Sequence, residues 1–163
     1  MKKIILVTLL LFVTSPKISN FVFATKIEST DKIREQVEKT EFIKRQNLII
    51  AVLSYQESTN NPKALNVKEN AAGMLQIRPI MIKEVNLLVG YEKYTLEDRW
   101  DPEKSIEIFK DFQNKVNPEW DEELACKKWN GGRRGELKKS TEKYYQNYLS
   151  NKKDFLNKTQ KEC

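Results

Sequence analysis

Apolar positions along this chain fall in blocks with helical spacing. Phe42 and Ile43 lead into Leu48-Ile49-Ile50-Ala51-Val52-Leu53, which predicts a helix from about Glu41 to Tyr55 buried on most of its circumference. That helix ends at Gln56-Glu57-Ser58, before the turn-forming Thr59-Asn60-Asn61-Pro62. The stretch Ala71–Ile77 reads as a compact loop. It leads into a helix after Pro79 with Ile82, Val85, Leu88 and Val89 as apolar positions and Gly90 as its stop. Asp101-Pro102 is an N-cap and first-position pair, and Ile106, Phe109, Phe112 and Val116 follow at three- and four-residue spacing. Another helix runs from about Glu122 to Trp129 and breaks at Asn130-Gly131-Gly132. The last core helix carries Tyr144, Tyr145, Tyr148 and Leu149.

The polar stretches complete the picture. Residues 25–40 are strongly charged and predict a lead-in helix or a loose arm, whereas residues 151–163 read as a frayed polar tail. No strand-type alternation is sustained, and only five Gly and five Pro interrupt the chain. The expectation is one all-α domain over residues 41–150, within the size range of a single core.

The N-terminus predicts a cleaved export signal over residues 1–24. Lys2 and Lys3 precede an apolar run from Ile4 to Val13, and Val22-Phe23-Ala24 offers a small-residue cut. Ten residues fall short of the about twenty that span a bilayer, so no stable membrane insertion is expected once the signal is removed. A retained N-terminal anchor is the alternative. Export places the protein in the periplasm or outside the cell. Cys126 and Cys163 then either form a bridge or stay free.

Residues 1–24 carry three Lys and no acid, so their removal lowers the formal charge from +6 to +3. A mild basic excess suits an anionic polymer but lacks the concentrated stripe of a nucleic-acid binder. The absence of His removes Ser-His-Asp and Cys-His nucleophiles together with the usual zinc sites, and no Gly-rich phosphate loop is present. What is left is carboxyl acid/base chemistry, with no metal and no cofactor expected. Glu57, just beyond the most apolar helix face, is the candidate: apolar walls disfavour its charged form and let it hold a proton near neutrality.

Four motifs occur in order: Glu57-Ser58 with Asn61-Pro62, then Ala72-Gly73-Met74-Leu75-Gln76-Ile77, then Trp129-Asn130-Gly131-Gly132, then Tyr144. In order and spacing they resemble the soluble lytic transglycosylase branch of the lysozyme-like superfamily, over about residues 42–149. Relatives commonly carry Leu-Met in place of Met74-Leu75, Tyr-Asn-Ala-Gly in place of residues 129–132, and Glu-Thr-Arg in place of Ser140-Thr141-Glu142. The resemblance implies a lysozyme-like helical domain with a substrate cleft that acts on peptidoglycan glycan strands. It implies that Glu57 is the catalytic acid/base and Ser58 a hydroxyl beside the reacting sugar. Met74 would line the cleft or simply pack the core, and Gln76 would reach the substrate or the loop backbone. Asn130 would bond a sugar substituent and Tyr144 would orient Glu57.

The implied reaction cleaves between N-acetylmuramic acid and N-acetylglucosamine and leaves 1,6-anhydromuramic ends. It needs one carboxyl group, and no second one stands out: Glu69 lies in a charged loop, and Asp98 and Asp101 read as structural. Two alternatives stay open. One is a hydrolase similar to goose-type lysozyme. The other is a catalytically inactive wall-binding part of an envelope-spanning or phage-derived assembly, whose machinery partner the sequence does not identify.

Overall fold

The computed structural model describes the backbone of residues 16–161 and the side chains of residues 31–158. The apolar run at Ile4–Val13 and Cys163 lie outside the described residues. The chain divides into two units, Met1–Phe42 and Ile43–Cys163. In the first, the described residues are helical and belong to α1 (Pro16–Ser58). The charged lead-in segment is therefore helix and not a loose arm. Thr40 Oγ1 donates to the Gln36 carbonyl at 2.8 Å, a bond within the helix, and Ile33 and Val37 are exposed.

The second unit is built from helices and one small hairpin. The end of α1 buries Ile49, Ile50, Val52, Leu53 and Ser54. Its successors are α2 (Pro79–Val89), α3 (Pro102–Val116), α4 (Glu122–Gly131) and α5 (Ser140–Lys161). Local chemistry sets each boundary. Pro79 opens α2, and Gly90 closes it at φ 91° with its N–H on the Asn86 carbonyl. Asp101 accepts from the Lys104 N–H at 2.9 Å to cap α3, and Asp121 accepts from the Leu124 N–H at 2.8 Å to cap α4.

α3 turns Ser105, Ile108, Phe109, Phe112 and Gln113 inward, leaving Ile106 and Val116 half-buried. Phe109 and Phe112 meet the Trp129 ring edge-on at 4.8 and 5.9 Å, and Phe109 meets Trp120 at 5.9 Å. This aromatic cluster seats the end of α4, which continues through Asn130 to Gly131. Asn130 is thus on the last helical turn and not beyond it.

The expected frayed tail is instead the second half of α5, which runs to Lys161. Cross-chain bonds explain the difference. Asn151 Nδ2 donates to Gln56 Oε1 at 3.1 Å, and Lys152 Nζ bonds the Glu122 carboxylate at 2.6 Å. Leu149, expected in the core, is exposed; Tyr148 is fully buried. Among the described residues, no helix is long and apolar enough to cross a membrane.

Between α1 and α2 the chain forms the hairpin of β1 (Leu65–Asn66) and β2 (Ala71–Ala72), with Leu65 opposite Ala72 and Asn66 opposite Ala71. The following turn folds back so that Ala72 and Ile77 exchange both backbone bonds, at 3.1 and 2.9 Å. Arg99, 5% exposed, holds this loop from beneath. Its guanidinium donates to the carbonyls of Leu96 (2.7 Å), Asn70 (2.8 Å) and Ile77 (3.3 Å). The Arg99 carbonyl accepts from Ser105 Oγ at 2.9 Å and closes against Gly73.

A Cβ at Gly73 would stand 1.8 Å from that carbonyl oxygen, and Gly73 has φ 76°. Gly90 has φ 91° but nothing within 4 Å. Gly73→Ala should therefore destabilise the fold by roughly 3 kcal/mol or more, and Gly90→Ala by about 1 kcal/mol. Denaturant titration of both variants checks this. Equal losses would mean that the Arg99 carbonyl yields easily and that the loop is not fixed from below.

Candidate active site

α1 delivers Glu57 in its final turn. The helix stops there because Thr59 and Asn60 adopt left-handed backbone, at φ 54° and 62°. Their N–H groups satisfy the last helical carbonyls, Thr59 to Tyr55 at 2.8 Å and Asn60 to Ser54 at 3.2 Å. The Asn60 side chain also accepts from the buried Ser54 hydroxyl at 2.6 Å.

Glu57 is half-buried, and the Tyr144 hydroxyl of α5 donates to its Oε1 at 2.6 Å. The neighbouring Gln56 strengthens this junction. Its Nε2 donates to the Tyr144 carbonyl at 3.3 Å, and its Oε1 accepts from Asn151. Loss of hydration pushes the Glu57 carboxyl up from 4.5 to about 7. The Tyr144 bond and the positive charge of Arg78 oppose that rise, and the negative charge of Glu69 adds to it. Burial and the Glu57 charge together push the Tyr144 hydroxyl well above its ordinary range, so it remains a donor.

A cavity of about 140 Å³ opens beside Glu57. Gln76 and Asn130 line it as well, so three of the six residues singled out in the sequence line one cavity. Tyr144 reaches the site through its bond to Glu57. Ser58 and Met74 are not among the lining residues. The Ser58 hydroxyl donates to the Met74 carbonyl at 2.8 Å and accepts from the Asn61 N–H at 3.0 Å, fastening the end of α1 to the loop. Gln76 Nε2 donates to the carbonyls of Gly73 (2.9 Å) and Ala64 (3.2 Å), so its amide hydrogens brace the loop backbone.

Four polar or aromatic lining residues escaped the sequence reading: Asn66, Glu69, Arg78 and Trp129 in its role as cavity wall. Glu69 corrects an expectation, because the hairpin carries this loop carboxylate to the cavity, where Arg78 lies 4.0 Å from it. The other two acids are structural: Asp98 accepts from the Thr95 N–H and hydroxyl, and Asp101 caps α3. Arg78 also donates to the Asn130 carbonyl at 3.0 Å, tying the loop to the end of α4. Its place just before Pro79 marked a helix start and carried no sign of chemistry. At the family-variant position, Glu142 pairs with Lys127 of α4 at 2.7 Å, and Thr141 is buried against the Gly135 and Lys138 carbonyls.

A proton-holding carboxyl group fixed by one phenol, in a cavity walled by amides, an indole and a guanidinium, can donate and retake a proton at a neutral polar substrate. The family described as transglycosylase SLT domain matches residues 35–151. None of the curated proteins and none of the solved structures matches the chain.

Two expectations concern protonation. Glu57 binds its proton more tightly folded than unfolded, so its ionisation costs stability. That cost is absent below pH 4.5, grows as pH rises from 4.5 to about 7, and is complete above. Glu57→Gln should therefore be of equal stability at pH 4 and more stable by about 1–3 kcal/mol at pH 8. Thermal melts across that range read the gap; a gap independent of pH would mean a solvated carboxylate. Tyr144→Phe removes the donor that favours the ionised form, so the Glu57 midpoint should rise further above about 7. Carbon NMR titration of the Glu57 carboxyl measures it, and a lower midpoint would show that Tyr144 does not stabilise the charge.

Proposed function

Because the chain belongs to the transglycosylase SLT domain family, which acts on peptidoglycan, we propose that it is an exported lytic transglycosylase with Glu57 as its single acid/base. The observation that carries this reading is the half-buried Glu57, held near pH 7 and bonded to Tyr144 at the wall of a polar cavity.

The proposed chemistry makes use of that geometry. Tyr144 occupies Oε1, leaving Oε2 to give its proton to the glycosidic oxygen that follows N-acetylmuramic acid. As that bond breaks, positive charge develops at C1, and the sugar's own N-acetyl group shares it. The carboxylate left on Glu57 then takes the proton of the 6-hydroxyl, whose oxygen closes on C1 to give the 1,6-anhydro ring. The nucleophile is already attached to the sugar, so proximity replaces activation of a water molecule. The proton lost to the leaving group is recovered from the hydroxyl, and Glu57 returns to its starting state. Asn130 and the free face of Gln76 position the sugar, and Ser58 and Met74 act through the loop that they hold.

Glu69 favours a second reading, hydrolysis. Ordinary glycosidases use two carboxyl groups, one to hold or activate a water or to attack C1. Glu69 is exposed and lies 4.0 Å from Arg78, which competes for the carboxylate that a hydrolase would need, and cyclisation is the preferred reading. The presence of the Glu57–Tyr144 pair in hydrogen-bonding geometry counts against an inactive wall-binding relative.

Glu57→Gln should lower cleavage of purified peptidoglycan by a thousandfold or more, because acid and base roles contribute about 10²–10⁴-fold each. Mass spectrometry of wild-type fragments should find anhydromuramic ends, with the rate unchanged in excess EDTA. Reducing ends as the main product would establish the hydrolase, and a variant retaining a tenth of the activity would remove Glu57 from the mechanism.

A further inference from the structure

The site cavity does not end at Asn130. A second, larger cavity of about 560 Å³ adjoins it and shares Arg78, Met81 and Asn130 as common walls. The two differ in charge. The first contains Glu57 and Glu69 against Arg78. The second is lined by Arg78, Arg133, Arg134 and Lys138, with Glu84 as its only acid. Arg133 is bonded to Glu84, and Lys138 Nζ donates to the Gly131 carbonyl at 2.6 Å. The exposed Arg134 guanidinium makes no hydrogen bond or ion pair with any described residue. The groove thus runs from an acidic end to a basic one, and the basic end keeps a planar two-pronged donor unused.

We propose that this basic cavity binds an anionic substituent of the glycan strand, a carboxylate of the peptide stem, with Arg134 as its principal donor. The proposal rests on the reading of the chain as a peptidoglycan enzyme and adds a determinant of which strands it accepts. Stem carboxylates recur on every muramic unit, so a strand lying across Glu57 carries one within a sugar or two of the bond being cut. Arg pairs with carboxylates through two parallel bonds, and a cavity of about 560 Å³ has room for part of a stem. A phosphate on a strand-linked polymer has the same charge chemistry and is the other source to separate.

Binding is read by co-sedimentation, with Glu57→Gln as the reference so that no turnover is needed. Three wall preparations are used: intact walls, walls whose stem carboxyl groups are amidated with a carbodiimide and ammonia, and walls stripped of phosphate polymers by hydrofluoric acid. Adding Arg134→Gln to the reference should weaken binding to intact walls about five- to tenfold and leave binding to amidated walls unaltered. The difference should shrink as salt is raised. A loss that survives acid treatment assigns the stem carboxylate. A loss that disappears on acid treatment overturns that source in favour of phosphate. Equal losses on all three preparations, or none on any, overturn the anionic pocket. Arg134 is exposed, so the variant is expected to fold; a circular dichroism melt verifies it. Wild-type protein that sediments with walls but releases no fragments would count against the enzyme reading alone.

Discussion

Taking a carboxyl group out of water disfavours its charged form, and this site is organised around that penalty. Glu57 sits at the end of the most apolar helical segment of the chain, so its backbone cannot withdraw toward solvent without exposing Ile49, Val52 and Leu53. Hydration is replaced by a single phenol, which tempers the rise in pKa without cancelling it. α5 supplies that phenol, and its register is set by Gln56 bonding both the Tyr144 backbone and Asn151. Glu57, its partner and the helix pair that joins them therefore form one mechanical unit.

The loop facing Glu57 solves a different problem. It must be shaped without a core of its own, because β1 and β2 are two residues each. Arg99 supplies a charged centre on which separate carbonyls converge, and Gly73 lets the loop backbone approach the arginine's own carbonyl. Non-glycine residues at positive φ, Asn70 and Gln76, mark the bends. A buried guanidinium satisfied by backbone oxygens fixes a loop more rigidly than apolar packing of so few side chains would.

Much of this was legible in the chain. Apolar blocks at helical spacing read as helices and are helices, and Asp101-Pro102 and Gly90 sit at the boundaries that their chemistry requires. The boundaries that failed depend on distant partners. α5 outlasts its apolar pattern because Asn151 and Lys152 find Gln56 and Glu122, far away in sequence. α4 holds two more residues because Trp129 is gripped by Phe109 and Phe112. Glu69 and Arg78 gave no local signal, since only the hairpin and the Arg99 clamp bring that loop to the cavity. Ser58 illustrates the limit on roles: the family resemblance implied a hydroxyl beside the sugar, and that hydroxyl is engaged by the loop.

The left-handed pair Thr59-Asn60 carries a further consequence. Those two amides close the last turn of α1 on the carbonyls of Tyr55 and Ser54, with Glu57 inside the closure. If that turn opens even transiently, Glu57 becomes an ordinary hydrated glutamate, ionised at neutral pH and unable to donate. On the proposed mechanism, competence is thus a property of one helical turn and not of the whole domain, so it can be lost well before global unfolding. Hydrogen exchange at the Thr59 and Asn60 amides would count the incompetent fraction directly, in a molecule that every global probe reports as native.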